Sequence, residues 1–121
     1  MAYQPAVLGE KIYPGAALKD TNVQVQRLVA PLVRFLVRAS DVHLTLFLEP
    51  MVITSGNDGQ HAVGSAHFRN AAVDLRTTDK HEAQNNLFLM ALVQLGAEDH
   101  IGVFDERTKP GEGHFHCEVL A

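Results

Sequence analysis

Apolar residues recur at helical spacing in two stretches of the chain. The apolar positions of the first stretch are Val25, Leu28, Val29, Leu32, Val33 and Leu36. Their spacing predicts an amphipathic helix over residues 22–38, and Thr21 with Gln24 has the spacing of a capping box at its start. Pro31 lies inside this helix and is expected to kink or divide it, because proline has no backbone N–H to donate.

The second stretch predicts a helix in the C-terminal half of the chain. Its apolar positions are Ala83, Leu87, Met90, Ala91 and Leu95. Asp79 precedes Glu82 by three residues, which is a spacing typical of a helix start, and Gly96 is expected to close the helix.

Short apolar and β-branched runs predict strands between and after the helices. These runs span residues 52–54, 72–75, 100–104 and 115–120. Residues 44–48 fit a strand or a helix equally well. The glycine-rich segment 55–65 predicts a loop, and residues 1–19 predict an extended N-terminal arm that packs on the domain.

These elements together predict an α+β fold. Two main helices would cover one side of a small, mainly antiparallel sheet, because short connections such as the final hairpin favour antiparallel pairing. The 121 residues suffice for one hydrophobic core but not for two, so residues 1–121 are expected to form a single domain.

Composition narrows the classes of function. The formal net charge of −4 argues against broad binding to nucleic acid. No apolar run is long enough to span a bilayer, and the single cysteine, Cys117, excludes an intrachain disulfide. The N-terminus lacks the basic head and apolar run of a secretory signal. We therefore expect a protein made in the cytoplasm that stays there or is released without a signal peptide, unless a leader is missing from the chain.

Two histidines near the C-terminus are candidate metal ligands. His114 and His116 flank Phe115 in a predicted strand, so both imidazoles share one face of it. Glu118 shares that face and is expected to orient one of the histidines, whereas Cys117 points away from it as a small core residue. Imidazole is a preferred zinc ligand, but two such histidines alone do not define a site.

Asp74 supplies a candidate oxygen ligand. It lies in an apolar strand, where a buried carboxylate needs a partner. That partner is either an arginine, Arg69 or Arg76, or a metal ion. With His67, which ends the glycine-rich loop, and one histidine of the last strand, Asp74 completes a set of two histidines and one carboxylate. Such a set leaves one position of a tetrahedral zinc open, as catalytic zinc sites require.

Four segments in this order resemble the M15-type zinc peptidases. They are ITSG at residues 53–56, GSAH at 64–67, AVDL at 72–75 and HFHCEV at 114–119. This family includes D-alanyl-D-alanine carboxypeptidases and the L-alanyl-D-glutamate endopeptidases of phage endolysins. Its pattern is SxHxxGxAxD followed by a C-terminal histidine strand, and hedgehog signalling domains share its fold and ligand set. The resemblance covers more than half of the chain.

The resemblance implies one Zn²⁺ per chain, held by His67, Asp74 and His116. It favours His116 over His114 as the third ligand, a choice that the residues alone leave open. His114 would then lie beside the metal and stabilise the oxyanion, and Ser65 of the motif would bind substrate. The implied substrate is the peptide stem of peptidoglycan, cut by a carboxypeptidase or an endopeptidase.

Two features of this motif region depart from the family's pattern. Asn70 replaces the glycine of HxxG, and the turn is expected to survive because asparagine tolerates left-handed backbone better than most residues. The family's arginine soon after Ser-Gly is replaced by Asn57 and Asp58, so Arg69 becomes the candidate for holding substrate.

The general base of the family also lacks its usual residue. Many members have an acid three positions before the last histidine, and Gly113 stands there in this chain. The neighbouring Glu112 is therefore the candidate base. His114, Asp105 and Glu106 are the next candidates.

The predicted function is that of a zinc metallopeptidase acting on the peptidoglycan stem. The alternative is a zinc-containing module of the same fold that binds a peptide or protein without cleaving it, and Gly113 is the feature that favours it. An Fe(II) oxygenase uses similar ligands but usually needs a larger double-stranded barrel, so it ranks third.

Overall fold

The computed structural model describes residues 4–57, 69–108 and 113–120, which form one six-stranded sheet and two helices. The elements are β1 Gln4–Leu8, β2 Lys11–Leu18, α1 Ala30–Phe47, β3 Met51–Ser55, β4 Ala72–Arg76, α2 Glu82–Asp99, β5 Ile101–Glu106 and β6 His114–Val119. The strand order is β1-β2-β3-β4-β6-β5. Neighbouring strands are antiparallel except β2 and β3, which are parallel because the connection through α1 crosses from one end of the sheet to the other.

The fold is α+β, but the prediction of a small, mainly antiparallel sheet was wrong. The sheet is larger and mixed, because residues 4–18 of the predicted arm contain β1 and β2. Pro5 obscures the strand pattern at the sequence level. It lies on the edge strand, at a register irregularity between Pro5 and Val7, which is a place where a strand tolerates proline.

The first helix begins later than predicted, at Ala30. Pro31 lies in its first turn, where a backbone N–H has no partner in any case, so this proline starts the helix instead of kinking it. Arg27 has a φ of 67°, which a helix cannot contain. The helix continues to Phe47, so residues 44–47 of the undecided segment are helical, and Leu48 caps the helix in left-handed backbone with a φ of 58°.

The second helix, Glu82–Asp99, confirms the periodic stretch but not its ends. Its N-cap is His81, whose backbone N–H donates to the side chain of Gln84 at 2.9 Å, so Asp79 is not the cap. Gly96 lies inside the helix and does not close it. A Cβ at Gly96 would lie 2.5 Å from a backbone oxygen of β5, so the glycine allows the helix to approach the sheet.

Both helices pack on one face of the sheet. The strands direct Val73, Leu75, Phe115 and Cys117 into this core, where each is fully buried. The core position predicted for Cys117 is thus confirmed, and burial raises the pKa of its thiol well above the usual range. Neither helix of the described residues has the length and apolar character that crossing a membrane requires.

A buried histidine ties α1 to the segment before α2. His43 is 2% exposed, and its Nδ1–H donates to the carbonyl of Glu49 at 2.7 Å. Its Nε2 therefore accepts from the ammonium of Lys80 at 3.1 Å. Lys80 also donates to the carboxylate of Asp79 at 2.8 Å. Burial, the largest influence, lowers the pKa of His43 from 6.5 to about 4.

We expect the protein to lose stability as the pH falls from 6.5 towards about 4. In this window the unfolded chain binds a proton at His43 and the folded protein does not. The free energy of unfolding therefore decreases as the pH decreases. The loss attributable to His43 is about 2 kcal/mol between pH 7 and pH 5. Urea unfolding at both pH values measures it. His43→Asn retains a donor but does not titrate, so it should lose less. Equal losses in the two proteins would contradict the assignment.

Candidate metal centre

Strands β4 and β6 place Asp74 and His116 face to face. The two residues are directly opposite in the antiparallel ladder. Because side chains alternate along a strand, both point away from the helices, on what we call the site face of the sheet. His116 Nδ1 and Asp74 Oδ1 are 2.9 Å apart, and both side chains are largely buried.

Glu118 holds the other side of the His116 ring. Its Oε1 lies 2.9 Å from His116 Nε2, so the imidazole is clamped between two carboxylates. If Nε2–H donates to Glu118 in the neutral ring, Nδ1 presents a lone pair to Asp74. Two acceptors at this distance need a cation between them, either a proton or a metal ion. Consistent with the proton, the hydrogen bond to Asp74 is the main cause that raises the pKa of His116.

The spacing of these two atoms fits a tetrahedral zinc site. Two ligand atoms about 2.0–2.1 Å from a tetrahedral zinc are about 3.3 Å apart. The 2.9 Å between Asp74 Oδ1 and His116 Nδ1 would have to widen by only a few tenths of an ångström. A metal-ligating histidine usually gives its second nitrogen to a carboxylate, and Glu118 occupies that place for His116.

His114 also lies on the site face, where it contacts the carboxylate of Glu106. His114 is 7% exposed. Its Nε2 is 2.7 Å from Oε1 of Glu106, the residue directly opposite on β5, and 3.8 Å from Asp74 Oδ1. The sequence places Glu106 near this site only once the register of β5 against β6 is known.

Three of the predicted site residues lie outside the described residues: His67, Ser65 and Glu112. Within residues 4–57, 69–108 and 113–120, no group of three or more histidine, cysteine, aspartate or glutamate side chains is arranged to hold a metal ion. The described chain thus brings together two of the three predicted ligands, Asp74 and His116.

Arg69 and Asn70 form the turn that leads into β4. Asn70 has a φ of 60°, so asparagine does adopt the left-handed backbone expected where the family has glycine. Its Oδ1 accepts a hydrogen bond from the side chain of Asn57. Arg69 is exposed and precedes the end of β4 that is paired with Glu118, whereas His114 lies opposite the other end of β4.

Gly113 occupies a crowded position where the M15-type pattern has an acid. A Cβ at Gly113 would lie 2.9 Å from Thr77 Oγ1 and 3.0 Å from the backbone oxygen of Arg107. One of these contacts is with backbone, so a side chain at this position would require its neighbours to shift by a few tenths of an ångström. If this candidate site is catalytic, its general base would come from another position, because glycine has no side chain.

Comparisons with known proteins do not assign the chain to a family. No family model matches the sequence, and no curated protein matches it. The resemblance to M15-type peptidases therefore rests on the motif residues alone.

Proposed function

We propose that the protein is a zinc-dependent peptidase that hydrolyses a peptide bond in the stem of peptidoglycan. The observation that carries the metal part is the pair of Asp74 Oδ1 and His116 Nδ1 at 2.9 Å, with Glu118 on the second nitrogen of the ring. The substrate part comes from the motif resemblance, which fits cleavage at D-Ala-D-Ala or at L-Ala-D-Glu. A protein acting on this substrate must reach the cell wall, so release from the cytoplasm belongs to the proposal.

Each residue of the candidate site would have a separate role in this reaction. Asp74 and His116, with His67, would hold the zinc, which supplies a Lewis acid that polarises the scissile carbonyl and acidifies the attacking water. Glu118 fixes the orientation of the His116 ring, so that Nδ1 faces Asp74. His114, whose Nε2 lies 3.8 Å from Asp74 Oδ1, would stand beside the ligands.

A second function is supported by one specific observation. Gly113 leaves the family's usual position without an acid, and a side chain there would crowd Thr77 and Arg107. A protein that kept the metal but had no base would bind a peptide without cleaving it. The two functions share the ligand set and differ in whether product forms.

Protein purified without chelator is expected to contain about one zinc per chain. Asp74→Ala should lose it, because the variant removes an oxygen ligand from a largely buried position. Asp41→Ala is the matched control, since it removes an exposed aspartate from α1. Metal analysis of the three proteins measures the effect. Full zinc occupancy in Asp74→Ala would remove this residue from the ligand set.

The reaction is tested by incubating the zinc-loaded protein with purified peptidoglycan and analysing the products by mass spectrometry. Release of free D-alanine indicates carboxypeptidase cleavage, whereas new L-alanine carboxyl termini indicate cleavage before D-glutamate. A zinc-loaded protein that binds these substrates and forms neither product would favour the binding module.

A further inference from the structure

The last residue of β5 brings a carboxylate to the metal centre from the neighbouring strand. Glu106 ends β5 and lies directly opposite His114. Alternation along β5 puts Glu106 and Phe104 on the site face. The ring of Phe104 lies 5.9 Å from the ring of His116, which confirms the face on which this part of β5 points its side chains.

Glu106 contacts His114, which in turn lies near the predicted ligand Asp74. Its Oε1 is 2.7 Å from His114 Nε2, and the same nitrogen is 3.8 Å from Asp74 Oδ1. The His114 side chain is 9% exposed and the Glu106 side chain 34%. A buried imidazole thus holds one oxygen of a carboxylate that still reaches solvent. This arrangement fixes the carboxylate and leaves it accessible to a water molecule.

The other carboxylates of β4, β5 and β6 are less suited to take a proton. Asp74 and Glu118 both contact the His116 ring. Asp105 is opposite Phe115 and therefore points to the core side of the sheet, where its Oδ2 pairs with Arg107 at 2.8 Å. The hydrogen bond from Arg107 is the main cause that holds the pKa of Asp105 below its usual value, which makes it a weaker base.

We propose that Glu106 is the general base of the peptidase reaction and that His114 positions it. The inference rests on the proposed function. Glu106 supplies the general base that is missing at Gly113, the family's usual position. Glu106 takes a proton from the attacking water as the water oxygen bonds to the scissile carbonyl carbon. The carbon–nitrogen bond then breaks, and the proton passes from Glu106 to the leaving amine nitrogen. The carboxylate of Glu106 is thereby restored for the next turnover.

Glu106→Gln tests the base directly, because glutamine keeps the size of the side chain and an oxygen that can accept from His114. We expect zinc content near that of the parent, a similar KM for a stem-peptide substrate, and a kcat lowered by about 10²–10⁴-fold. The control is Asp41→Asn, which neutralises an exposed carboxylate on α1 and should leave kcat near that of the parent.

A spectroscopic measurement tests the positioning by His114 without reference to activity. The Nε2 proton of His114 should give a slowly exchanging imidazole resonance in the parent, assigned by its loss in His114→Asn. That resonance should shift in Glu106→Gln and stay in place in Asp41→Asn. A resonance that Glu106→Gln leaves unchanged would overturn the contact and with it the positioning role.

Separate outcomes test the role of Glu106 and the peptidase activity itself. If the parent cleaves peptidoglycan and Glu106→Gln cleaves it equally well with full zinc, Glu106 is not the base and only the inference falls. If Glu112→Gln is the variant that loses kcat, the base is Glu112 instead. A zinc-loaded parent that cleaves no stem peptide overturns both the proposed function and the base.

Discussion

His116→Ala is expected to abolish zinc binding, whereas His114→Ala is expected to keep most of it. His116 points Nδ1 at Asp74 Oδ1, 2.9 Å away, in the arrangement of two ligands of one ion. His114 instead engages Glu106 at 2.7 Å through the nitrogen that lies nearest to Asp74. The loss of a ligand should weaken zinc binding by more than the roughly 10–100-fold typical of removing an outer partner of a ligand.

Competition with a chromogenic chelator measures both affinities, and Glu118→Gln gives the intermediate case. That variant removes only the carboxylate that orients His116, so its affinity should fall by about 10–100-fold. His114→Ala should stay close to the parent in affinity and still lose hydrolysis, because Glu106 loses the group that holds it. The reverse order, with metal lost from His114→Ala and kept in His116→Ala, would make His114 the third ligand.

The sequence indicated Asp74 and His116 of the candidate metal centre through their motif, although the pairing of β4 with β6 that sets them opposite each other is not a local feature. Alternation along a strand puts Asp74 and His116 each on one face, and the order of the motif puts their strands in one domain. Glu118 follows from the same alternation. The pairing of Glu106 with His114 does not, since it depends on the register of β5 against β6, which the length and shape of their connection set.

Most of the helices and strands could also be predicted from the sequence. Strands β3 to β6 and helix α2 have clear apolar patterns, and the structure has them close to their predicted bounds. The mixed character of the sheet was missed, because the parallel pairing of β2 with β3 arises from a crossover through α1 and not from any local signal. Pro31 was read as an interruption although it starts the helix, since its effect depends on where the first turn begins.

The N-terminal hairpin depends on a close approach between β2 and α1. A Cβ at Gly15 would lie 2.2 Å from the backbone oxygen of Ser40 and 2.7 Å from its carbonyl carbon. Ser40 is fully buried in the middle of the helix, so its carbonyl cannot move unless α1 shifts away from the sheet. A side chain at position 15 therefore forces two packed elements apart.

Gly15→Ala is expected to lower the free energy of unfolding by about 3 kcal/mol or more, at or above the usual range for overpacking. Gly102→Ala in β5 is the matched control, because its Cβ would meet the side chains of Leu120 and Phe104, at 2.9 and 3.1 Å. Leu120 is 50% exposed and can turn away. Both substitutions restrict the unfolded chain equally, which favours folding by about 0.4–1 kcal/mol, so this effect cancels in the comparison.

Urea unfolding of the two variants measures the difference, with the slope against urea checked for constancy. Gly102→Ala should remain within about 1 kcal/mol of the parent. Gly15 lies in β2, beyond β3 from the strand pair that carries Asp74 and His116. The folded fraction of Gly15→Ala should therefore bind zinc with the parent's affinity. Equal stability of the two variants would show that α1 and β2 can separate freely at this contact.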